Sequence, residues 1–307
     1  MEVTRGVYSE PEETLLTTRA LNYLSAGPAD VVDLIGHICS LPGAPRIVAE
    51  HMAHAMFAGR PQFVRSADGR WMLADIAAKP YSESAGRSRT PAGAGDALNG
   101  LSYVVVDTET TGGSHWLHDK ITEIAAVVVR NGEIVEVFET LVNPQRPIPP
   151  FVSRLTNITW DMVKDAPTFD RVVPDLMRVL EGNVFVAHNA NFDWRFITSE
   201  ISRTTGRQLR GRRLCTVKMA RKVLPQLSRR SLDHVARFYG VEIRNRHRAG
   251  GDALATAKCL VRMLSDLADR GCGTWADLQT LLRAPAGRRR KRRPPGMPMP
   301  VTRDTTA

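Results

Sequence analysis

The spacing of apolar and polar residues divides the chain into a short helical part and a longer part that opens on strands. From Thr14 to Ser25 the residues Leu15, Leu16, Ala20, Leu21 and Leu24 recur at helical spacing, closed by Gly27. Pro28 opens a second helix over 29–41, and Pro45 opens a third over 46–58. Two β-like pieces, 62–65 and 70–73, flank the turn Ala67-Asp68-Gly69. Three helices and a hairpin predict a small winged-helix-like α+β domain over residues 1–76. Residues 77–99 are rich in Ser, Gly, Ala and Pro and poor in apolar side chains, which predicts a flexible linker.

Residues 100–268 carry the larger pattern. Val104-Val105-Val106-Asp107-Thr108-Glu109-Thr110-Thr111-Gly112 starts as an apolar β-branched run and reads as a buried strand. Strands over 121–129 and 134–142 follow, joined by Arg130-Asn131-Gly132-Glu133, where Asn-Gly is a hairpin signal. Helical patterns cover 151–155, 160–163 and 169–180, then a strand runs from Asn183 to His188. A helix over 192–205 and a short strand over 214–216 come next, and helices over 217–224, 231–239 and 252–266 complete the pattern. Hairpin strands followed by strand–helix alternation predict an α/β domain with a mixed five-stranded sheet flanked by helices. In 269–307, Trp275, Leu278, Leu281 and Leu282 predict a short amphipathic helix, and the Pro, Arg, Gly and Met composition from 284 onward predicts disorder.

The polar residues that interrupt this pattern carry the chemistry. Alternate residues of a strand share a face, so Asp107 and Glu109 point the same way. Two like charges side by side favour protonation unless a cation neutralises them, and hard oxygen ligands of this kind suit Mg²⁺ or Mn²⁺. A second acid, Asp193, ends Ala187-His188-Asn189-Ala190-Asn191-Phe192-Asp193, where a strand runs into a helix. A third stretch, His247-Arg248-Ala249-Gly250-Gly251-Asp252-Ala253, sets a histidine and an acid at the start of the last helix. Taken singly, Asp193 or Asp252 reads as a helix cap and a lone histidine as a surface group. The set is specific because four acids and a histidine all fall at element ends.

Composition adds a partner class. The net charge is +10, of which Arg288-Arg289-Arg290-Lys291-Arg292-Arg293 supplies six and leaves four elsewhere. A basic tail on a basic body predicts a polyanionic partner. Thr14–Ile76 balances five Arg and no Lys against five acids, so this part predicts protein contact or a structural cap ahead of DNA reading. His51 and His54 lack a third ligand nearby and read as surface histidines. No run of 18 apolar residues exists and the N-terminus lacks an apolar core, so neither a membrane span nor a signal peptide is expected. Cys39, Cys215, Cys259 and Cys272 are scattered without a C-x-x-C pair, which predicts reduced thiols and a cytoplasmic location rather than a zinc site or disulfide frame.

The three acidic stretches resemble the DEDD-type 3′→5′ exonucleases in the subgroup that uses histidine. They look like the proofreading epsilon subunit of bacterial DNA polymerase III and its stand-alone paralogues. The resemblance spans about residues 101–267 and takes in Lys120-Ile121-Thr122-Glu123-Ile124-Ala125-Ala126-Val127 and Ser231-Leu232-Asp233-His234-Val235-Ala236. It implies a ribonuclease H-like fold, with Asp107, Glu109, Asp193 and Asp252 holding two divalent cations and His247 as general base. Such a site supplies an activated water, in-line attack and charge neutralisation on the leaving oxygen. Imidazole titrates near neutral pH and so can take the proton from water.

The backbone amides of Thr110 and Thr111 are expected to grip the terminal 3′ hydroxyl. His188 and Asn189 are expected to brace their loop, and Gly250-Gly251 to let the His247 loop close over substrate. The substrate expected is the single-stranded 3′ end of DNA, in proofreading or repair, with RNA trimming or a docking role as the alternatives. A DNA polymerase or clamp is the further partner that the resemblance suggests.

Overall fold

A computed structural model describes residues 6–74, 97–114 and 119–284. Most of the expected linker (77–96) and of the expected disordered tail (285–307) lies outside the described residues. The chain opens with β1 (Tyr8–Pro11), followed by α1 (Leu15–Leu24), α2 (Val31–Cys39), α3 (Arg46–Phe57) and the antiparallel pair β2 (Phe63–Arg65) and β3 (Trp71–Leu73). Thr14 caps α1 and Asp30 caps α2. Leu34, Ile35, Ile38, Ala49, Ala53, Phe57, Phe63 and Trp71 form a separate core for these helices and their hairpin. Exposed His51 and His54 sit on α3.

The larger domain begins with a 3-10 turn over Leu98–Gly100, so residues 97–99 belong to it rather than to the linker: Leu98 is buried and its N–H bonds Gly273 O at 2.8 Å. The elements that follow are β4 (Tyr103–Thr110), β5 (Ile121–Arg130), β6 (Glu133–Leu141), α4 (Pro150–Thr156), α5 (Trp160–Val163), α6 (Phe169–Leu180), β7 (Val184–Ala187) and α7 (Asn191–Thr205). After them come β8 (Arg207–Arg210), β9 (Arg213–Cys215), α8 (Thr216–Val223), α9 (Leu232–Tyr239), α10 (Ala249–Asp269) and α11 (Trp275–Arg283). The strands make a five-stranded mixed sheet in the order β6-β5-β4-β7-β9. β4, β5 and β6 pair antiparallel, whereas β4, β7 and β9 are parallel. This is the ribonuclease H-like arrangement. Asn131 (φ 52°) and Gly132 (φ 78°) both adopt left-handed backbone at the β5–β6 turn, which explains the Asn-Gly pair there.

The alternation of β4 decides where the chemistry goes. Tyr103 and Val105 pack on the face covered by α8, α9, α10 and α11, and Val104 and Val106 pack on the face covered by α6 and α7. The register carries Asp107 and Glu109 to the α10 face and Thr108 to the α7 face.

β1 departs from the expected domain boundary. It pairs with β8 of the larger domain, from Tyr8↔Arg210 to Pro11↔Arg207, and Val7 N donates to Asn183 O at 2.8 Å. Residues 6–11 are therefore built into the larger domain although they precede the smaller one. A four-residue strand whose partner lies about 200 positions away leaves no local periodicity to read. α11 packs onto the core through Leu278, fully buried, and its boundaries agree with the expected amphipathic helix. No described helix is long and apolar enough to cross a membrane.

Candidate active site

Asp107 and Glu109 leave β4 on its α10 face, and Asp252 meets them from the first turns of α10. Ligand oxygens of these three carboxylates lie within 4.8 Å of one another. Asp193 stands outside this trio. It is buried at the start of α7, and its Oδ1 accepts the Thr108 N–H at 3.1 Å and the Thr108 hydroxyl at 2.9 Å. Strand alternation thus gives Asp107 and Glu109 to one helix and Thr108, between them, to the other. The single strand β4 ties all four acids together.

The site is crowded with negative charge that water does not screen. Burial pushes the Asp107 carboxyl well above the usual carboxylate range, and Asp193, Glu109 and Asp252 add to the rise. Glu109 is pushed up to about 8, first by burial and then by Asp252, Glu123 and Asp193. Asp193 rises to about 7 through burial, against the lowering effect of its bond from Thr108. Asp252 is also raised by burial, opposed by Arg246.

Asp252 is only half satisfied. Its Oδ2 accepts the His247 N–H at 3.2 Å and a hydrogen bond from Arg246 Nη1, whereas its buried Oδ1 has no partner among the described residues. A buried carboxylate oxygen without a donor, on an acid grouped with two other carboxylates, fits a divalent metal ion better than it fits a structural acid. The donor set is all oxygen, as hard Mg²⁺ or Mn²⁺ requires.

His247 is half-buried on the loop before α10, with left-handed backbone (φ 63°). Its Nδ1 lies 3.4 Å from Arg246 Nη1, and Arg246 Nε also donates to Asp233 Oδ1 at 2.9 Å. The expected glycine hinge is corrected here. Gly250 and Gly251 lie in the first turn of α10 itself, neither with positive φ. A Cβ on Gly250 would run into the Glu139 carboxylate, and one on Gly251 into the Arg244 carbonyl. These glycines let a helix approach its neighbours closely; they do not loosen a loop.

Thr110 and Thr111 are buried beyond Glu109. The Thr110 hydroxyl donates to Gly112 O at 2.6 Å. Thr111 N–H is donated to Lys120 O at 2.8 Å, so this amide is not open to a substrate hydroxyl as expected. The Thr111 hydroxyl closes the same turn, accepting Lys120 N–H at 3.0 Å. His188 braces its loop: Nδ1 pairs with Thr216 Oγ1 at 2.9 Å and Nε2 with Arg230 O at 3.0 Å, and burial lowers its pKa to about 4. Asn189 beside it adopts left-handed backbone (φ 75°).

With this geometry in place, the profile of the exonuclease family, RNase T type, matches residues 104–260. The chain belongs to this exonuclease family. Among similar proteins, this chain is 41% identical over 180 residues to a DNA polymerase III PolC-type protein of Caldanaerobacter subterraneus subsp. tengcongensis, which covers 59% of this chain and 13% of that one. It is 40% identical over 192 residues to a Mycobacterium tuberculosis protein named as a bifunctional exonuclease/endonuclease, covering 60% of this chain and 30% of that one. The chain thus spans less than a third of the length of these relatives. A solved structure of exonuclease X with 5′ overhanging duplex DNA is 30% identical, with a TM-score of 0.47 over 59% of this chain and 99% of that one.

Four residues of the candidate site escaped sequence reasoning: Thr108, Glu123, Arg246 and Arg248. Glu123 is buried within β5 and accepts Arg248 Nε at 3.0 Å and the Ala249 N–H at 2.8 Å. A signal for it exists, since an acid inside the apolar run Ile121-Thr122-Glu123-Ile124-Ala125 must find a partner when buried.

Proposed function

We propose that the chain is a metal-dependent 3′→5′ exonuclease that removes nucleotides from DNA 3′ ends in proofreading or repair. One observation carries this reading: Asp107, Glu109 and Asp252 converge within 4.8 Å, and Asp252 keeps a buried oxygen with no partner among the described residues. In this reading Asp107, Glu109, Asp193 and Asp252 hold two divalent cations, Mg²⁺ or Mn²⁺. Such ions supply an activated water and neutralise charge on the leaving oxygen.

The remaining work falls to the side chains. Thr108 fixes Asp193 through two hydrogen bonds to one oxygen and leaves the other oxygen for a ligand. Asp252 holds the His247 backbone N–H, so the imidazole travels with the carboxylate it serves. His247 takes the proton of the attacking water. In this reading Thr110, just beyond Glu109, contacts the terminal nucleotide. The relatives named DNA polymerase III PolC-type favour DNA over RNA as the polymer. They also favour a DNA polymerase as a partner.

The test is a pair of 5′-labelled single strands, one DNA and one RNA, incubated with Mg²⁺ or Mn²⁺. The DNA strand should shorten stepwise from its 3′ end and faster than RNA. Faster loss of RNA would replace the substrate, and shortening from the labelled end would replace the polarity.

A further inference from the structure

Arg213, Lys218 and Arg283 line one cavity of about 240 Å³, with Asn191 and Gln279 among its other walls. None of the three cations forms an ion pair among the described residues. Some other arginines do have a carboxylate partner, as Arg178 has Glu136 and Arg210 has Glu10, both at 2.6 Å. Three cations gathered round a cavity without an acid repel one another unless an anion sits between them. The Arg213 guanidinium lies 4.8 Å from the Trp194 ring centre. Stacking of this kind orients a guanidinium and leaves its edge donors for a planar or tetrahedral anion. Packing there lowers the Arg213 pKa by desolvation, and no carboxylate among the described residues offsets it.

The position of the cavity says which anion. β4, β7 and β9 are parallel, so their C-terminal ends lie along one edge of the sheet. β4 carries Asp107 and Glu109 at that edge, β7 runs out to Asn191 and Asp193, and the end of β9 opens the cavity. Neighbouring strands are about 4.8 Å apart, which sets β9 about 10 Å from β4. A strand of a few nucleotides whose end lies at the carboxylates would bring an upstream phosphate to this edge. Arg283 and Gln279 come from α11, outside the stretch 104–260 that the family profile matches. α11 is held firmly for the purpose by buried Leu278 and by Trp275, whose ring lies 5.0 Å from the Arg212 guanidinium. In sequence the run Arg288–Arg293 follows Arg283 closely and continues the same sign of charge.

We infer that Arg213, Lys218 and Arg283 form a second phosphate-binding site, which holds the backbone of a single nucleic-acid strand upstream of the end lodged at the carboxylates. The inference rests on the exonuclease reading for its direction along the strand. Its test does not need cleavage. Binding of a fluorescein-labelled oligothymidylate of about a dozen nucleotides is measured by anisotropy in Ca²⁺ over a range of salt, with the full chain. Lys218→Ala/Arg283→Ala removes two exposed cations. It should flatten the slope of log K against log salt by roughly 1.4, at about 0.7 for each single-strand phosphate left without its cation.

Arg213→Lys, which keeps the charge, should retain the parent slope, while Arg213→Ala should reduce it by about 0.7. The weakening should be confined to the longer strand and spare a dinucleotide. An unchanged slope in the double variant overturns the inference, and so does an equal weakening on the dinucleotide. Hydrolysis of the p-nitrophenyl ester of thymidine monophosphate by the parent chain tests the exonuclease reading separately. If that fails, the reading falls while the salt slopes still decide the phosphate site.

Discussion

Glu123 stands directly opposite Glu109 across the β4–β5 pair, yet its carboxylate serves the start of α10, accepting Arg248 Nε and the Ala249 N–H. One buried acid therefore fixes the helix that carries Asp252 to the strand next to β4, and its charge helps to raise Glu109. Glu123→Gln keeps an acceptor for Ala249 but releases Arg248, which is 30% exposed and can reach water. The change should cost about 2 kcal/mol of stability, less than the loss of a fully buried partner would. It should lower kcat by about 10–100-fold, as loss of groups that orient metal ligands does. Glu109 should titrate at lower pH once the neighbouring charge is gone, so the acid limb of the pH–rate profile should move down. A variant with unaltered kcat and pH profile would show that Glu123 only packs.

Asp107→Asn removes one charge from the trio while keeping its shape. Hydrolysis should fall by roughly 10²–10³-fold, the usual loss for one electrostatic contact to a reacting group. The metal-free variant should nonetheless melt higher than the parent at neutral pH, because an amide needs no proton on folding, whereas burial and then Asp193, Glu109 and Asp252 hold the Asp107 carboxyl well above its ordinary range. Thermal melts with and without Mn²⁺ read both effects, and the rise in Tm on adding metal should shrink in the variant.

The raised carboxylates also make the metal-free fold sensitive to pH. Glu109 titrates at about 8 against an ordinary 4.5, and Asp193 at about 7 against 3.8. Between those limits the folded chain holds protons that the unfolded chain has released, so stability falls as pH rises from about 4 and levels off above about 8. Urea midpoints taken at pH 5, 7 and 9 in a chelator should decline in that order. Divalent metal should flatten the decline, because it takes the place of the protons. A midpoint that rises with pH would mean the four acids are not packed as described.

The larger sheet was legible because each of its strands carries its own signal. The β-branched run at Val104–Val106, the Asn-Gly turn and the strand before His188 stand at or within a residue or two of their places in the structure. Asp107, Glu109, Asp193 and Asp252 were legible as a set because the first two lie toward the end of β4 and the others in the first turns of α7 and α10. What escaped was set by contacts between distant segments. β1 finds β8 without any periodicity of its own. The two glycines before Asp252 looked like a hinge, whereas their reason is the nearness of Glu139 and the Arg244 carbonyl, which only the packed helix reveals. Nothing local to Thr108 announces its bond to Asp193, which reaches it across the sheet's other face.

Thr108→Val tests that last contact. The swap is nearly isosteric, keeps the N–H bond to Asp193 at 3.1 Å and removes the hydroxyl bond at 2.9 Å. It should cost about 1–2 kcal/mol, the range for leaving a buried charged acceptor short of a donor. Asp193 should then hold its proton more tightly, since the Thr108 side-chain bond opposes the effect of burial. The apparent metal affinity at neutral pH should weaken and recover at alkaline pH. Calorimetric Mn²⁺ titration at two pH values distinguishes this from a general loss of fold, which would not recover.

Arg246 supplies the sharpest test of how the site handles charge. Its guanidinium bonds Asp252 Oδ2 through Nη1 and Asp233 Oδ1 through Nε, and it lowers the proton affinity of Asp107, Glu109 and Asp252 together. It is the cation at hand among the acids, and a divalent ion drawn to Asp252 competes with it. Asp233 gives the guanidinium a second anchor, so it can leave Asp252 without losing all its pairing. Arg246→Gln should therefore act in opposite directions on two measurements. Metal-free stability at pH 8.5 should drop, because the carboxylates lose their counter-charge. Affinity for Mn²⁺ at the same pH should rise by about tenfold, equivalent to about 1.4 kcal/mol, because a competitor is gone. At pH 6 the gain should shrink, since protons then occupy the carboxylates that Arg246 had kept ionised. Equal Mn²⁺ affinity for parent and variant at pH 8.5 would mean that Arg246 and the metal do not share Asp252.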